Sequence, residues 1–285
     1  MHAFDDSYGF ARRLARAAQE RLAGVAVRRF PDGETLVRVA QTDRDAILVR
    51  SLADPDCKLF ETILAANALR EAGARRVTLV VPYLPYMRQD KVFHPGEPIS
   101  QRVIGDLLST SFDAVLTMEP HLHRVHSLRE VFRCRAVNIS AAPAIAGWIR
   151  RNARRAIVVG PDEESARWVK SIARAAGIDH AVGSKERFGD RRVRVHFEPI
   201  RARHAVIVDD IASSGATLAA AARALRAHGV VRVDALVVHA IFATGALATV
   251  HRAGVHRVLS CDTIPHPTNA IWCAPLFADR LRKPS

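Results

Sequence analysis

The fourteen residues Ala205-Val206-Ile207-Val208-Asp209-Asp210-Ile211-Ala212-Ser213-Ser214-Gly215-Ala216-Thr217-Leu218 constrain the fold more than any other stretch of this chain. The β-branched opening reads as a buried strand of a parallel sheet. Two acids stand at its carboxyl end, then a turn of small and hydroxylic residues, then an alanine-rich helix predicted from about Thr217 to His228. Open α/β sheets place ligands outside the carboxyl ends of strands, and a helix N-terminus offers free N–H groups to an anion. Ser213, Ser214, Gly215, Ala216 and Thr217 are small enough for the backbone to close around a phosphate, with three hydroxyls as added donors.

No Lys precedes the hydroxyl residue, as it would in a Walker loop that holds β- and γ-phosphates. Asp209 and Asp210 suit vicinal hydroxyls, so acids beside a phosphate nest describe a sugar-phosphate site. A plain turn whose acids cap the helix is the alternative.

At 285 residues the chain has room for one large α/β domain or two ordinary ones. No run approaches the ~20 apolar residues of a membrane span, and Met1-His2-Ala3-Phe4-Asp5-Asp6 lacks a basic-then-apolar signal. Cys57, Cys134, Cys261 and Cys273 form no C-x-x-C pair, which suits reduced thiols in a cytoplasm. A net charge of +13 favours anionic partners without choosing among them. Nucleic acid is not expected, because no helix-turn-helix signal or basic–aromatic platform accompanies the charge.

Strands and helices alternate along the chain, which predicts parallel sheets flanked by helices. Helices are expected over about 8–23, 55–72, 100–109, 143–152, 165–176 and 244–253. Strands are expected at 35–39, 46–52, 76–81, 114–118, 156–159, 181–184, 232–238 and 257–260. The pattern restarts near residue 141, which predicts an N-terminal domain of residues 1–140 and a C-terminal one of 141–285. Lys185 to Arg194 reads as a charged hairpin or flap.

Several strand ends carry polar residues. Arg88-Gln89-Asp90 offers a cation, an amide and an acid, apt for a nucleotide. His121-Leu122-His123 could supply metal ligands. His121 with Asp162 suits a hard cation such as Mg²⁺ carrying its own waters, although Asp162-Glu163-Glu164 equally suits a negative first helical turn. Lys185 and Arg187 could close over phosphoryl oxygens. Each has a plain structural alternative.

Taken in order, Phe30-Pro31-Asp32-Gly33-Glu34, Pro82-Tyr83 through Arg88-Gln89-Asp90, Glu119-Pro120-His121, Gly160-Pro161-Asp162, Lys185-Glu186-Arg187 and the Asp209–Thr217 loop resemble the ribose-phosphate diphosphokinase (phosphoribosyl pyrophosphate synthetase) family. Phe93 to Ser100 is similar to its archaeal-type branch. The resemblance implies two similar phosphoribosyltransferase-like α/β domains that bind ATP and ribose 5-phosphate. The implied reaction moves the β,γ-diphosphoryl group of ATP to the C1 hydroxyl of the sugar. It further implies that Ser213, Ser214, Gly215, Ala216 and Thr217 hold the 5-phosphate, and Asp209 and Asp210 the ribose hydroxyls. Arg88 and Gln89 would bind ATP, and Phe30, Asp32, Gly33 and Glu34 would complete the adenine pocket from a neighbouring subunit of a homo-oligomer. His121 and Asp162 would contact Mg²⁺, and Lys185 and Arg187 would be catalytic. A phosphoribosyltransferase and a non-catalytic regulatory member are the alternatives. The chain departs from the family pattern at Glu119, where Asp is usual, and at Glu164-Ser165, where glycines often stand. It departs again at Ala216, where a Gly is common and strain from positive φ is expected.

Overall fold

The computed structural model describes residues 1–122, 124–187 and 193–282. Two compact units divide between Ile139 and Ser140, with Thr263–Pro265 and the C-terminal segment from Ala274 belonging to the first unit.

Unit 1 holds β1 (His2–Ala3), α1 (Tyr8–Ala18), β2 (Ala23–Gly24), β3 (Ala26–Arg29), β4 (Thr35–Arg38), β5 (Asp45–Val49), α2 (Pro55–Glu71), β6 (Arg76–Val81), α3 (Ser100–Ser111), β7 (Ala114–Met118) and β8 (Arg135–Ile139). Six strands pair in the order β2-β1-β5-β6-β7-β8, and every pairing is parallel. β3 and β4 form a separate antiparallel hairpin. Leu48, Leu69, Leu79, Leu108, Phe112 and Val115 are among the residues that fill the core. Gly105 lets α3 approach Val131 closely, because a Cβ there would lie 2.1 Å from the Val131 carbonyl oxygen.

Unit 2 holds α4 (Ala142–Asn152), β9 (Ile157–Gly160), α5 (Ala166–Ala176), β10 (His180–Val182), β11 (Ser184–Arg187), β12 (Val193–His196), β13 (His204–Ala212), α6 (Ala216–Ala227), β14 (Arg232–Ala240), α7 (Ala246–Arg252), β15 (Val255–Cys261) and β16 (Asn269–Ile271). Its sheet runs β10-β9-β13-β14-β15-β16, again all parallel, and β11 and β12 form an antiparallel hairpin. Each unit therefore pairs its second sheet strand outside its first, then steps the other way. Each also inserts a hairpin before its third sheet strand. The expectation of two similar parallel-sheet domains holds.

Several element bounds differ from the sequence expectation. The first helix stops at Ala18 rather than Ala23, because Gln19 turns left-handed at φ 60°. Ala23-Gly24 is then free to join the sheet edge beside β1. The key strand continues through Asp209 and Asp210 to Ala212, since β14 is long enough to pair with it that far. α8 (Ala274–Arg282) packs on α1 in the first unit, with Phe277 edge-on to Phe10 at 5.4 Å between ring centroids. His123 and the tip of the charged hairpin, residues 188–192, lie outside the described residues.

Candidate active-site elements

In unit 2 the strand order reverses between β9 and β13, and their carboxyl ends open the crevice where such sheets bind ligands. Asp162 follows β9, where its Oδ1 accepts the Ser165 N–H at 3.1 Å and caps a short 3₁₀ turn over Glu163–Ser165. Its Oδ2 accepts from Lys185 Nζ at 2.9 Å, and both side chains are largely buried. Gly160 is needed beneath this turn, because a Cβ would lie 2.2 Å from Ser165 Oγ. Asp209 and Asp210 stand near the end of β13, and the Asp210 N–H donates to Asp209 Oδ1 at 3.0 Å. Burial pushes the Asp209 carboxyl well above the usual carboxylate range. The charges of Asp210 and Asp162 push in the same direction, and Lys185 opposes them. Asp162, Asp209 and Asp210 thus crowd together, with Lys185 on Asp162 and its charge acting on Asp209, an arrangement that accepts hydroxyl donors or a cation.

The Ser213–Thr217 loop follows directly. Gly215 has φ 73°, and a Cβ on it would lie 2.7 Å from Val250 Cγ2. Ala216 is already the first helical residue, so the strain expected at Ala216 does not arise and the left-handed position falls on glycine. The Ala243 N–H donates to Ser213 O at 3.1 Å and the Ile241 N–H to Ala212 O at 3.0 Å, which braces the loop from behind. The N-terminus of α6 thus opens at this loop, where first-turn N–H groups are available to an anion in general. Arg187 lies on β11 opposite Val193, two residues beyond Lys185.

In unit 1, Arg88 and Gln89 lie on the loop after β6. Tyr86 adopts φ 64°, a left-handed conformation costly for an aromatic residue. Its hydroxyl donates to Asp56 Oδ1 at 2.5 Å, at the start of α2. Ser100 Oγ donates to Gln89 Oε1 at 2.6 Å. The Asp90 carboxylate, 2 % exposed, accepts from Arg124 Nη1 at 2.8 Å. That pair ties the Arg88–Gln89 loop to the loop carrying His121. Glu119, at φ 35°, turns the chain from β7 into that second loop. Phe30, Asp32, Gly33 and Glu34 form the tip of the β3–β4 hairpin, where Asp32 Oδ1 accepts the Glu34 N–H at 3.1 Å and Arg28 lies 4.8 Å from the Phe30 ring centroid. No hydrogen bond joins this tip to Arg88 or Gln89 among the described residues.

Tyr86, Asp56, Ser100 and Arg124 were not singled out in the sequence. Only proximity to the Arg-Gln-Asp run could have suggested Tyr86, and no local signal marks Arg124, which sits 34 residues from its partner.

Residues 2–111 match the family described as the N-terminal domain of ribose phosphate pyrophosphokinase, and residues 137–276 match the phosphoribosyl transferase domain family. The ribose-phosphate pyrophosphokinase of Methanopyrus kandleri is 34% identical over 94% of this chain and 93% of its own length. That of Halobacterium salinarum is 34% identical over 96% of this chain and 98% of its own. The crystal structure of phosphoribosylpyrophosphate synthetase from Mycobacterium smegmatis superposes with a TM-score of 0.85 at 26% identity, covering 99% of this chain and 97% of that one. The chain belongs to the ribose-phosphate pyrophosphokinase family.

As in unit 2, the first half of the chain has a strand-order reversal, here between β1 and β5, but salt bridges occupy it. Arg50, 6 % exposed, reaches Asp6 Oδ2 at 3.2 Å and Glu61 Oε2 at 2.6 Å, with Lys58 Nζ 3.3 Å from the same Asp6 oxygen. The Arg50 guanidinium also lies 3.8 Å from the Phe4 ring centroid. The duplicated fold thus keeps an acid-rich crevice beside the Ser213–Thr217 loop in unit 2 and fills the corresponding place in unit 1.

Proposed function

We infer that the chain is a ribose-phosphate diphosphokinase, which transfers the β,γ-diphosphoryl group of ATP to the C1 hydroxyl of ribose 5-phosphate and yields phosphoribosyl pyrophosphate and AMP. The observation that carries the reading is the Asp162–Lys185–Asp209–Asp210 cluster at the strand-order reversal, one turn upstream of the Ser213–Thr217 loop. A phosphoribosyltransferase reading leaves the first-half match without a role.

In this reading Ser213, Ser214, Gly215, Ala216 and Thr217 hold the 5-phosphate on backbone N–H groups and hydroxyls. Asp209 and Asp210 accept from the ribose hydroxyls and orient C1. Arg88 and Gln89 bind ATP, and Phe30, Asp32, Gly33 and Glu34 complete the adenine pocket of a neighbouring subunit. The four residues of β3 are exposed, and Val27 and Leu36 of the hairpin are 41% and 49% exposed, which supports a homo-oligomer in which another copy covers them. A cytoplasmic setting accords with the absence, among the described residues, of any helix long and apolar enough to cross a membrane.

Mg²⁺ fits the donor chemistry: burial and then the neighbouring carboxylates raise Asp209, and hard oxygen donors suit this ion. His121 and Asp162 would contact it through its waters, and when bound it supplies neutralising charge for the triphosphate. Lys185 gives up its place on Asp162 to the oxygens of the transferred group, and Arg187 assists. Transfer of this kind depends on positioning and charge neutralisation more than on covalent chemistry. Phosphorus NMR of the protein with ATP, Mg²⁺ and ribose 5-phosphate tests the reading. AMP with a C1-linked diphosphate is the expected product, whereas ADP would mean a simple kinase and overturn it.

A further inference from the structure

The buried stripe of α3 is Gln101, Ile104, Gly105 and Leu108, the spacing of a helix face turned to the core. Its first member is an amide where the period calls for a hydrophobe, and Gln101 is only 1% exposed. A buried amide is costly unless its polar atoms find partners. Gln101 Nε2 donates to the Met87 carbonyl oxygen at 3.2 Å, and the Gln101 backbone N–H donates to the Gln89 carbonyl oxygen at 3.2 Å. One residue of α3 therefore holds the chain on both sides of Arg88.

Arg88 and Gln89 are exposed, whereas Met87 before them is buried. The Arg88 side chain makes no hydrogen bond or ion pair among the described residues. Its place is therefore set by the backbone of the turn. Within that turn the Gln89 N–H donates to the Tyr86 carbonyl oxygen at 3.1 Å, and Tyr86 is the residue in the left-handed region. A strained turn of this kind persists only where its surroundings hold it.

We propose that Gln101 is a positioning residue for the nucleotide, whose buried amide fixes the Met87–Gln89 turn before ATP arrives. The inference rests on the reading of Arg88 and Gln89 as ATP-binding residues. Preorganisation raises affinity by removing ordering that binding must otherwise supply. A hydrophobe at position 101 would fill the same space but leave the Met87 carbonyl without this partner, and the turn would shift to recover one. Gln101 touches the backbone of a unit 1 loop, so its loss should fall on ATP and spare the ribose 5-phosphate loop of unit 2.

Initial rates of full-length Gln101→Met and Gln101→Leu over a grid of both substrates test the proposal. Each variant is expected to raise KM for ATP at least fivefold, with kcat and KM for ribose 5-phosphate within twofold of wild type. A residue that served stability alone would lower the folded fraction, and with it kcat, at unchanged KM. In the wild-type protein without nucleotide, the Gln89 and Gln101 amide hydrogens should exchange at least tenfold more slowly than in an unstructured peptide. KM for ATP within twofold of wild type in both variants overturns the proposal. Unprotected Gln89 and Gln101 amides in the wild-type protein overturn it as well, whether or not the variants fold. Wild-type protein that forms no AMP overturns the functional reading and this inference with it, whereas wild-type turnover with an unchanged KM in the variants overturns this inference alone.

Discussion

Removal of the Lys185 ammonium separates its two jobs. In the resting structure it neutralises Asp162 at 2.9 Å, with side-chain exposures of 12% and 18%. In the proposed mechanism it stabilises charge on the diphosphoryl group during transfer. Loss of one such donor typically costs about 2.7–4 kcal/mol in the transition state, or 10²- to 10³-fold in kcat. The resting pair lies between an exposed bridge, worth about 0–1 kcal/mol, and a buried one, whose breakage costs about 3–5 kcal/mol. Lys185→Ala should therefore destabilise the fold by roughly 2 kcal/mol, partly because Asp209 loses its opposing charge. In the proposed reading ATP binding rests on the unit 1 loops and should change less than about threefold in KM, so the loss falls on kcat. Initial rates of AMP formation over a grid of both substrates measure this, with a thermal melt confirming that the variant is folded. Equal losses in kcat and ATP affinity would mean that Lys185 contributes uniform binding, and the assignment would fail.

Four further outcomes follow from the geometry. The folded-state pKa of Asp209 is raised, so the native state prefers the protonated form and loses stability as pH rises from the unfolded value of ~3.9 through the folded one. Asp209→Asn should abolish turnover yet gain about 1 kcal/mol at pH 7, or roughly 2–4 °C in Tm; a Tm unchanged or lower at pH 7 would refute this. Glu61→Ala should cost about 2 kcal/mol in urea denaturation, less than the full loss of a buried pair because Arg50 keeps Asp6, and a loss under about 0.5 kcal/mol, that of a surface substitution, would contradict the buried-pair reading. For the fully buried Asp234, burial favours the neutral form, but His204 at 3.1 Å and Arg257 at 2.8 Å, with Arg232 at 3.3 Å, outweigh it and hold the carboxyl well below the usual range. That stabilisation is present above pH ~4 and lost as pH falls further, so Asp234→Asn should cost about 3 kcal/mol at pH 7 and progressively less in acid. Asp90→Ala and Arg124→Ala should each raise KM for ATP several-fold, and the double variant should be no worse than the poorer single one; additive effects would break the inferred link between the two loops.

Local signals carried far in this chain. The strands at 76–81 and 114–118 have the bounds the hydrophobic runs predict, and α6 starts within the small residues that follow the acid pair. β1, β8 and α8 were not legible. β1 is two residues long, β8 is a half-exposed edge strand, and α8 follows no boundary that composition marks. At Ala216 the family pattern suggested strain, but the helix begins one residue earlier than expected and the positive φ falls on Gly215.

By itself the sequence determined the alternating strand–helix units, the turn chemistry and the residue types at each strand end, because hydrophobic period and backbone freedom are properties of neighbouring residues. Tertiary structure decided which strand ends meet. Lys185 reaches Asp162 across 23 residues, Arg124 reaches Asp90 across 34, and Arg50 fills one strand-order reversal while the other stays lined with acids. Those outcomes depend on the order of strands in each sheet, which is set by the burial of whole faces at once and leaves no mark in any short stretch of chain.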